Sequence, residues 1–300
     1  MASKIESNAW TPRGSLKEVQ GIPLLEPIVA HWKRVETFRA FPEDLLIATY
    51  PKAGTTWVQE IVDLILNRGD AGRAGRAPTH VRMPFLEMTT GNAALSGITC
   101  LEQMEPPRVI KTHLPIQLIP NTFWEARCKV IYVARNPKDN VVSYFHFDRM
   151  NLVQPEPGPW SQYLDKFMRG QLGWGSWYDH VQGFWREKET KQILYLFFED
   201  IKENPEREIR RIADFLGHRV SEEICRDIAQ MTTFAAMREN PMANYSCIPD
   251  AIFNRQASEF LRKGEVGDWQ NHFSPEENAT FGEHYNRMMA DCSIPFRFLI

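Results

Sequence analysis

The chain has 300 residues, a net charge of -3 and 43% apolar residues. That length and composition predict one domain with a substantial core over residues 1–300, and we expect a flexible stretch at 1–20. Acidic and basic residues are mixed along the whole length, which argues against a nucleic-acid partner or a polybasic membrane surface. No apolar run reaches the roughly 18 residues that a membrane span requires.

The five cysteines are odd in number and never form a C-x-x-C pair. The sequence therefore predicts neither a disulfide framework nor a structural zinc site. The first ten residues are polar and lack the apolar core of a signal peptide. A reducing, cytoplasmic location is the expectation that fits both observations.

Four short apolar runs predict buried parallel strands, and each is followed by a turn or by a helical pattern. Such repeated strand–turn–helix units predict an α/β fold, in which a central parallel β-sheet is flanked by helices. The runs are residues 45–50, 108–112, 129–134 and 192–198.

Helix signals follow three of these runs. Apolar residues on nearly every face predict a buried helix over 55–67. The pairs Asn136-Pro137 and Asn204-Pro205 each match a helix cap followed by proline at the first helical position. The second of these helices is predicted to stop at Gly217.

The stretch 237–267 mixes proline, asparagine, glycine and charged residues without a sustained period. It is longer than an ordinary connection between elements, so we expect it to form a lid loop.

The first strand ends at residues 51–56, which read Pro-Lys-Ala-Gly-Thr-Thr, and a helix begins directly afterwards. Such a turn aims free backbone N–H groups at one point, while the helix N-terminus and Lys52 add positive charge. We predict a P-loop-like cradle for a phosphate or a similar anion. It is not a Walker sequence, because the lysine precedes Gly54 and no glycine stands five residues upstream. An ordinary helix cap with an exposed lysine remains the alternative.

Lys111 and His113 stand at the end of the second predicted strand. Residues two apart on a strand point to the same face, and ligands of open α/β sheets bind at the carboxyl edge. A histidine close to a lysine is disfavoured from carrying its own proton, so His113 is a candidate base for a substrate hydroxyl. The alternative is a structural histidine at a strand end.

Two further groups of residues offer donors to a second anion. Arg135 ends the third strand and presents a planar fork suited to a phosphate monoester, and Ser143 lies too far into the next helix to act as its cap. In the lid, Arg262 and Lys263 would close over an anion while Gly264 allows the backbone to approach. The alternatives are an Arg135 paired to an acidic neighbour and a solvated basic turn.

Taken together, these features closely resemble the cytosolic sulfotransferases, and within them the phenol (aryl) type. The resemblance runs from residue 23 to the C-terminus, and five stretches carry it. They are TYPKAGTTW at 49–57, KTHLP at 111–115, YVARN at 132–136, NPM at 240–242 and RKG at 262–264.

The resemblance implies transfer of a sulfuryl group from 3′-phosphoadenosine 5′-phosphosulfate (PAPS) to the hydroxyl or amine of a small, mainly phenolic acceptor. The transfer would be in-line and without a metal, and it would leave 3′-phosphoadenosine 5′-phosphate (PAP). His113 is the implied general base, and Lys52 and Lys111 would stabilise charge. The implied donor-binding residues are Lys52, Ala53, Gly54, Thr55, Thr56, Trp57, Arg135, Ser143, Phe198, Thr232, Thr233, Phe234, Arg262, Lys263 and Gly264.

Phe198 stands where the family commonly has tyrosine, so a hydroxyl to the nucleotide is lost. The family's dimer motif is also altered, with Gln270 and Ala279 at its charged ends, which implies a monomer or a weak homodimer. The implied acceptor pocket is hydrophobic, and ordinary core packing is the alternative for its aromatic residues. Its members are Phe85, Met88, Lys111, His113, Phe147, Tyr245, Ile252 and Phe253.

Two other functions remain open on the residues alone. The glycine–threonine cradle is compatible with a P-loop kinase-like phosphoryltransferase. A non-catalytic nucleotide-binding module would keep the same pocket without any transfer, although such a module has no use for a base at His113.

Overall fold

The computed structural model describes residues 13–89 and 96–300. Its strands are β1 (Leu16–Val19), β2 (Ile22–Leu25), β3 (Leu45–Thr49), β4 (Val109–Thr112), β5 (Lys129–Ala134) and β6 (Ile193–Phe197). Its α-helices are α1 (Glu26–Ala30), α2 (Trp32–Glu36), α3 (Thr55–Leu66), α4 (Ala71–Ala74), α5 (Thr79–Arg82), α6 (Gly97–Glu102), α7 (Asn121–Glu125), α8 (Pro137–Met150), α9 (Trp160–Met168), α10 (Trp177–Glu187), α11 (Phe198–Glu203), α12 (Pro205–Leu216), α13 (Glu222–Met231), α14 (Phe234–Glu239) and α15 (Pro275–Met288).

Strands β3 to β6 form a parallel sheet in the order β4-β3-β5-β6. The predicted α/β fold is therefore confirmed, and each predicted strand end lies within one residue of the observed one. The chain leaves β3 on one side to form β4 and then crosses to the other side to form β5. In an open parallel sheet, the crevice at such a reversal is where ligands bind.

Both faces of the sheet are covered, which explains why its strands are apolar throughout. Leu46 and Ala48 of β3 pack into one hydrophobic cluster. Leu45 and Ile47, which point to the opposite face, pack into a second cluster. Alternate residues of one strand thus pack into two hydrophobic cores, one on each face of the sheet, as expected for a buried parallel sheet.

The helices that follow the strands begin as predicted. The Asn136 side chain accepts a hydrogen bond of 2.9 Å from the Asp139 amide at the start of α8. Asn204 accepts one of 3.0 Å from the Arg207 amide at the start of α12. That helix ends at Gly217, whose φ of 80° is readily adopted by glycine.

The expected flexibility of 1–20 needs correction. Residues 1–12 lie outside the described part of the chain, but β1 pairs antiparallel with β2. The turn between them places Gln20 and Gly21 at positive φ. Backbone pairing across this tight turn therefore orders residues 16–20, which belong to the stretch expected to be flexible.

The stretch predicted as a lid begins within α14 and contains no strand among residues 237–267. Two backbone hydrogen bonds of 2.8 Å tie it to the end of α8: Leu152 N to Ile252 O and Asn254 N to Met150 O. Within the described ranges, no helix combines the length and the apolar character that crossing a membrane requires.

Candidate active site

A cavity with about 1170 Å³ of empty space, its mouth included, opens at the carboxyl edge of the sheet. Its lining comes from the segments that follow β3, β4 and β5, so residues from three strand ends meet in one cavity. The predicted site residues that line it are Lys52, Gly54, Thr55, Thr56, Trp57, Phe85, Met88, Lys111, His113, Arg135, Ser143, Phe147, Phe198, Thr232, Phe234, Arg262, Lys263 and Gly264.

Five predicted site residues do not line the cavity. Ala53 is buried inside the turn, and the Thr233 hydroxyl caps α14 by accepting from the Ala236 amide. Tyr245 and Phe253 pack with Met150 in a small apolar cluster, and Ile252 packs against it. These three side chains therefore form a layer behind the cavity wall. The ring centroid of Tyr245 lies 4.2 Å from that of Phe260, which does line the cavity.

The turn after β3 has a shape that its residues dictate. Gly54 has a φ of 106°, and a Cβ placed there would lie 2.9 Å from Cδ2 of Phe198, so only glycine fits without strain. The Thr49 and Thr55 hydroxyl oxygens lie 2.7 Å apart and fix the start of α3 to the strand. The first amides of α3 lack partners within the helix and carry its partial positive charge.

The Lys52 amine is held between two aromatic rings. Its Nζ lies 4.4 Å and 4.2 Å from the ring centroids of Phe147 and Phe260. Burial, followed by the nearby charges of Lys111 and Arg135, lowers the pKa of Lys52 to about 7. An anion in the cavity would favour the charged form of this lysine.

The hydrogen bonds of His113 define its tautomer. Its Nδ1 lies 2.8 Å from the backbone carbonyl oxygen of Thr49, an oxygen that can only accept. Nδ1 therefore carries the ring proton and donates it, so Nε2 keeps a free lone pair. Burial, and then the charge of Lys111, holds the pKa of His113 well below its usual value. A neutral imidazole of this kind can accept a proton.

Glu87 is a buried carboxyl group that the sequence did not single out. Its Oε1 accepts from the His113 amide at 2.7 Å and from Nε1 of Trp174 at 3.0 Å. Its Oε2 accepts from the Thr112 hydroxyl at 2.8 Å. Burial raises the pKa of Glu87 to about 7 in spite of these bonds. Glu87 thus joins the end of β4, which carries His113, to the segment that carries Trp174.

Arg135 bonds to backbone carbonyls rather than to an acid. One terminal nitrogen donates to Lys52 O at 3.4 Å and the other to Glu265 O at 2.9 Å. The guanidinium lies over the Phe198 ring at 4.3 Å, and its Nε is buried without a partner in the described residues. An acidic partner for Arg135 is therefore not found within those residues.

The Arg262-Lys263-Gly264 turn is held against the same cavity. Arg262 and Lys263 bond to the two Asp268 oxygens at 2.6 Å and 2.5 Å. Burial opposes ionisation of Asp268, but these bonds keep its pKa below the usual range. Gly264 has a φ of 65°, and a Cβ there would lie 2.3 Å from Cδ2 of Phe234. The turn is therefore an ordered wall rather than a solvated loop.

Several lining residues were missed because nothing in their local sequence marks them. Trp174 lies in the turn before α10, and its ring centroid is 5.5 Å from that of His113. Only the pairing of distant segments brings such residues to the cavity, so a local pattern cannot reveal them. The others that appear with the structure are Gln154, Lys202 and Met237.

The family model of the sulfotransferase domain matches residues 42–293. The chain is 49% identical to human Sulfotransferase 1C2 over 281 residues, which is 94% of this chain and 95% of that protein. It is 48% identical to bovine Sulfotransferase 1A1 over 288 residues, covering 96% of this chain and 97% of that protein.

The fold is likewise similar to that of a mouse sulfotransferase, SULT7A1, complexed with PAP. The TM-score is 0.76 at 30% identity, covering 93% of this chain and 96% of that one. The chain therefore belongs to the cytosolic sulfotransferase family. It is a PAPS-dependent sulfotransferase that releases PAP, and the kinase-like and non-catalytic alternatives are not favoured.

Proposed function

We propose that this protein is of the aryl type and transfers the sulfuryl group of PAPS to small phenolic acceptors. One observation carries the proposal. A neutral histidine with a free lone pair shares one cavity with two partly desolvated lysines and with aromatic walls. A hydroxyl entering between the aromatic rings would meet a base on one side and cationic groups on the other.

The donor end of the cavity suits a polyanionic nucleotide. Nε of Arg135, Nε of Arg262 and Nε1 of Trp57 are buried donors without partners among the described residues. Buried donors of this kind are expected to find acceptors. We assign the 5′-phosphosulfate to the turn at 52–57 and the 3′-phosphate to Arg135, Ser143 and residues 262–264. The adenine would lie against Trp57, Phe198, Thr232 and Phe234.

In the chemical step, the acceptor oxygen attacks the sulfur as the bond from sulfur to the bridging oxygen of PAP breaks. The phenolic proton passes to Nε2 of His113. Negative charge grows on the leaving phosphate, where Lys52 stabilises the transition state more than the ground state. Lys111, whose pKa burial lowers to about 8, would stabilise charge on the acceptor side.

The acceptor end is apolar on most sides. Phe85 and Trp174 lie edge-on to His113, with ring centroids at 4.9 Å and 5.5 Å. Met88 and Phe147 complete these walls. Apolar walls of this kind suit a phenol, whose ring would bury apolar area while its hydroxyl faces the imidazole.

We further propose that residues 1–300 form one domain, that 237–267 acts as a lid over the nucleotide, and that the protein works in the cytoplasm as a monomer or a weak homodimer. The altered dimer motif corresponds to Gln270, Ser274, Pro275 and Ala279, and its Ser274 serves as a cap, accepting from the Glu277 amide at 3.1 Å where α15 begins. The Ser274 hydroxyl thus has a hydrogen-bond partner within its own chain.

A sulfate-transfer assay over phenols, catechols, hydroxysteroids, iodothyronines and arylamines tests the proposal, with phenols expected to be the preferred acceptors. His113→Ala should lower kcat by roughly 100- to 10,000-fold, the usual contribution of a general base. The affinity for PAP, measured by calorimetry, should stay close to that of the unchanged protein.

His218→Ala is the matched control, since this histidine stands after α12 and does not line the cavity. Full turnover in His113→Ala would remove His113 from the role of base. Transfer to hydroxysteroids but to no phenol would overturn the acceptor class.

A further inference from the structure

Glu87 is a buried carboxyl group behind the acceptor end of the cavity, and the transfer described above gives it no part. Its exposed fraction is 0%. Burial favours the neutral form of a carboxyl group, so a buried glutamate normally has partners that stabilise its charge. The contacts of Glu87 identify those partners.

Three donors converge on the Glu87 carboxyl group. Its Oε1 accepts from the His113 amide and from Nε1 of Trp174, two groups that can only donate. Its Oε2 accepts from the Thr112 hydroxyl, whose own oxygen accepts from the Leu114 amide at 3.0 Å. Donors on both oxygens stabilise the ionised carboxylate more than the neutral acid.

The segment that carries Glu87 runs beside the end of β4, where Lys111 stands. The Lys111 amide donates to Pro84 O at 3.0 Å, and its carbonyl accepts from the Leu86 amide at 2.8 Å. Nζ of Lys111 lies 4.2 Å from the ring centroid of Phe85. Backbone pairing thus places a buried acid and a half-buried lysine on neighbouring segments.

The other ionisable groups near Lys111 oppose its charge. The charge of this lysine lowers the pKa of Lys52, of His80 and of His113. Repulsion acts equally on both partners, so charge on any of these groups disfavours charge on Lys111. Glu87 is the acid whose charge acts in the opposite sense and raises the pKa of Lys111.

We propose that Glu87 is a positioning residue whose buried carboxylate is the counterion that keeps Lys111 protonated beside His113. The carboxylate acts through Lys111 and touches no reacting atom. Burial raises the pKa of Glu87 to about 7 and lowers that of Lys111 to about 8. Glu87 is therefore already ionised at the pH where Lys111 loses its proton. The inference rests on the proposed phenol sulfotransferase, in which Lys111 stabilises charge on the acceptor side.

Glu87→Gln removes the charge and keeps the hydrogen bonds. The amide oxygen can still accept from His113 and Trp174, and the NH2 group can donate to the Thr112 hydroxyl. Loss of the negative charge should lower the pKa of Lys111 by about 1. NMR of the protein with ¹³Cε-labelled lysine, saturated with PAP, measures this pKa, and Lys111→Arg identifies the signal by its loss.

The pH profile of kcat provides a second readout. The assay uses saturating PAPS and para-cresol, whose hydroxyl ionises only near about pH 10. The value of kcat should fall as Lys111 loses its proton, and Glu87→Gln should move that fall to lower pH. In Lys111→Arg the guanidinium stays charged, so adding Glu87→Gln should not move the profile.

Glu208→Gln is the matched control. Glu208 is also 0% exposed, but its carboxylate bonds to Arg207 and Arg211 rather than to residues of the cavity. This change should leave the pKa of Lys111 as it is. Thr112→Val is a second variant, which keeps the Glu87 charge but removes one donor from it. It should lower the pKa of Lys111 by less than Glu87→Gln does.

Retained affinity for PAP shows that each variant is folded, and Thr112→Val decides the matter if Glu87→Gln is not. An unchanged or raised pKa of Lys111 would overturn the inference. A lowered pKa with an unmoved kcat profile would support Glu87 as the counterion while contradicting the role proposed for Lys111 in the transfer. Failure of the unchanged protein to sulfate any phenol would contradict the proposed reaction alone.

Discussion

At the scale of single residues, the polar groups that we propose to act on substrate are those whose positions follow from one rule. Lys52, His113 and Arg135 each lie within three residues of the end of a buried parallel strand, and the carboxyl ends of such strands share one edge. The sequence could therefore predict them. Glu87 and Gln154 could not be predicted, because their surroundings are made by segments far away in the chain.

The lowered pKa of Lys52 predicts how donor binding depends on pH. In the free protein this pKa is about 7, so the lysine loses its proton as the pH rises through that value. PAP favours the charged form and raises the pKa in the complex. The affinity for PAP should therefore fall by up to tenfold per pH unit above about 7, until the pKa of the complex is reached.

Calorimetry in buffers of different ionisation enthalpy measures this effect, and net proton uptake on binding is expected above about pH 7. Lys52→Arg keeps its charge at all these pH values, so its affinity should lose the downward slope. The same slope in both proteins would show that another group titrates.

At the scale of elements, the strand–turn–helix units were predictable because apolar runs, caps and turn residues all indicate them locally. The β1–β2 hairpin was not predicted. Its four-residue strands are short, and the Gln20-Gly21 turn lacks the Asn-Gly or Asp-Gly signature of a two-residue hairpin. The order of strands in the sheet is likewise invisible in local patterns, because it depends on contacts between distant segments.

The Arg262-Lys263-Gly264 turn provides a test at this scale. Gly264→Ala must place a Cβ against Phe234 at a positive φ, which costs about 1–3 kcal/mol for the backbone alone. The turn should shift and displace Arg262 and Lys263, so we expect the Kd for PAP to rise at least about tenfold. Isothermal calorimetry measures it directly.

Gly282→Ala is the matched control. Gly282 lies inside α15, and an added Cβ meets nothing within 4 Å. That change should raise the free energy of unfolding by up to about 1 kcal/mol and leave the Kd for PAP unchanged. Equal Kd values for PAP in the two variants would show that residues 262–264 do not depend on this conformation.

At the scale of the molecule, the strand order explains why donor and acceptor meet. β3 lies between β4 and β5, so Lys52 stands between the segments that carry His113 and Arg135. The backbone bonds from 252–254 to the end of α8 bring the proposed lid to the same edge. A single cavity can then hold a nucleotide along one side and a phenol along the other.

The most direct test is a crystal structure of the protein with PAP and a bound phenol. We predict one nucleotide with its 5′-phosphate on the amides of Thr55 and Thr56 and its 3′-phosphate between Arg135 and Arg262. The phenolic oxygen should lie about 2.6–3.2 Å from Nε2 of His113. A nucleotide bound in the reverse direction, or a phenol out of reach of that nitrogen, would contradict the account.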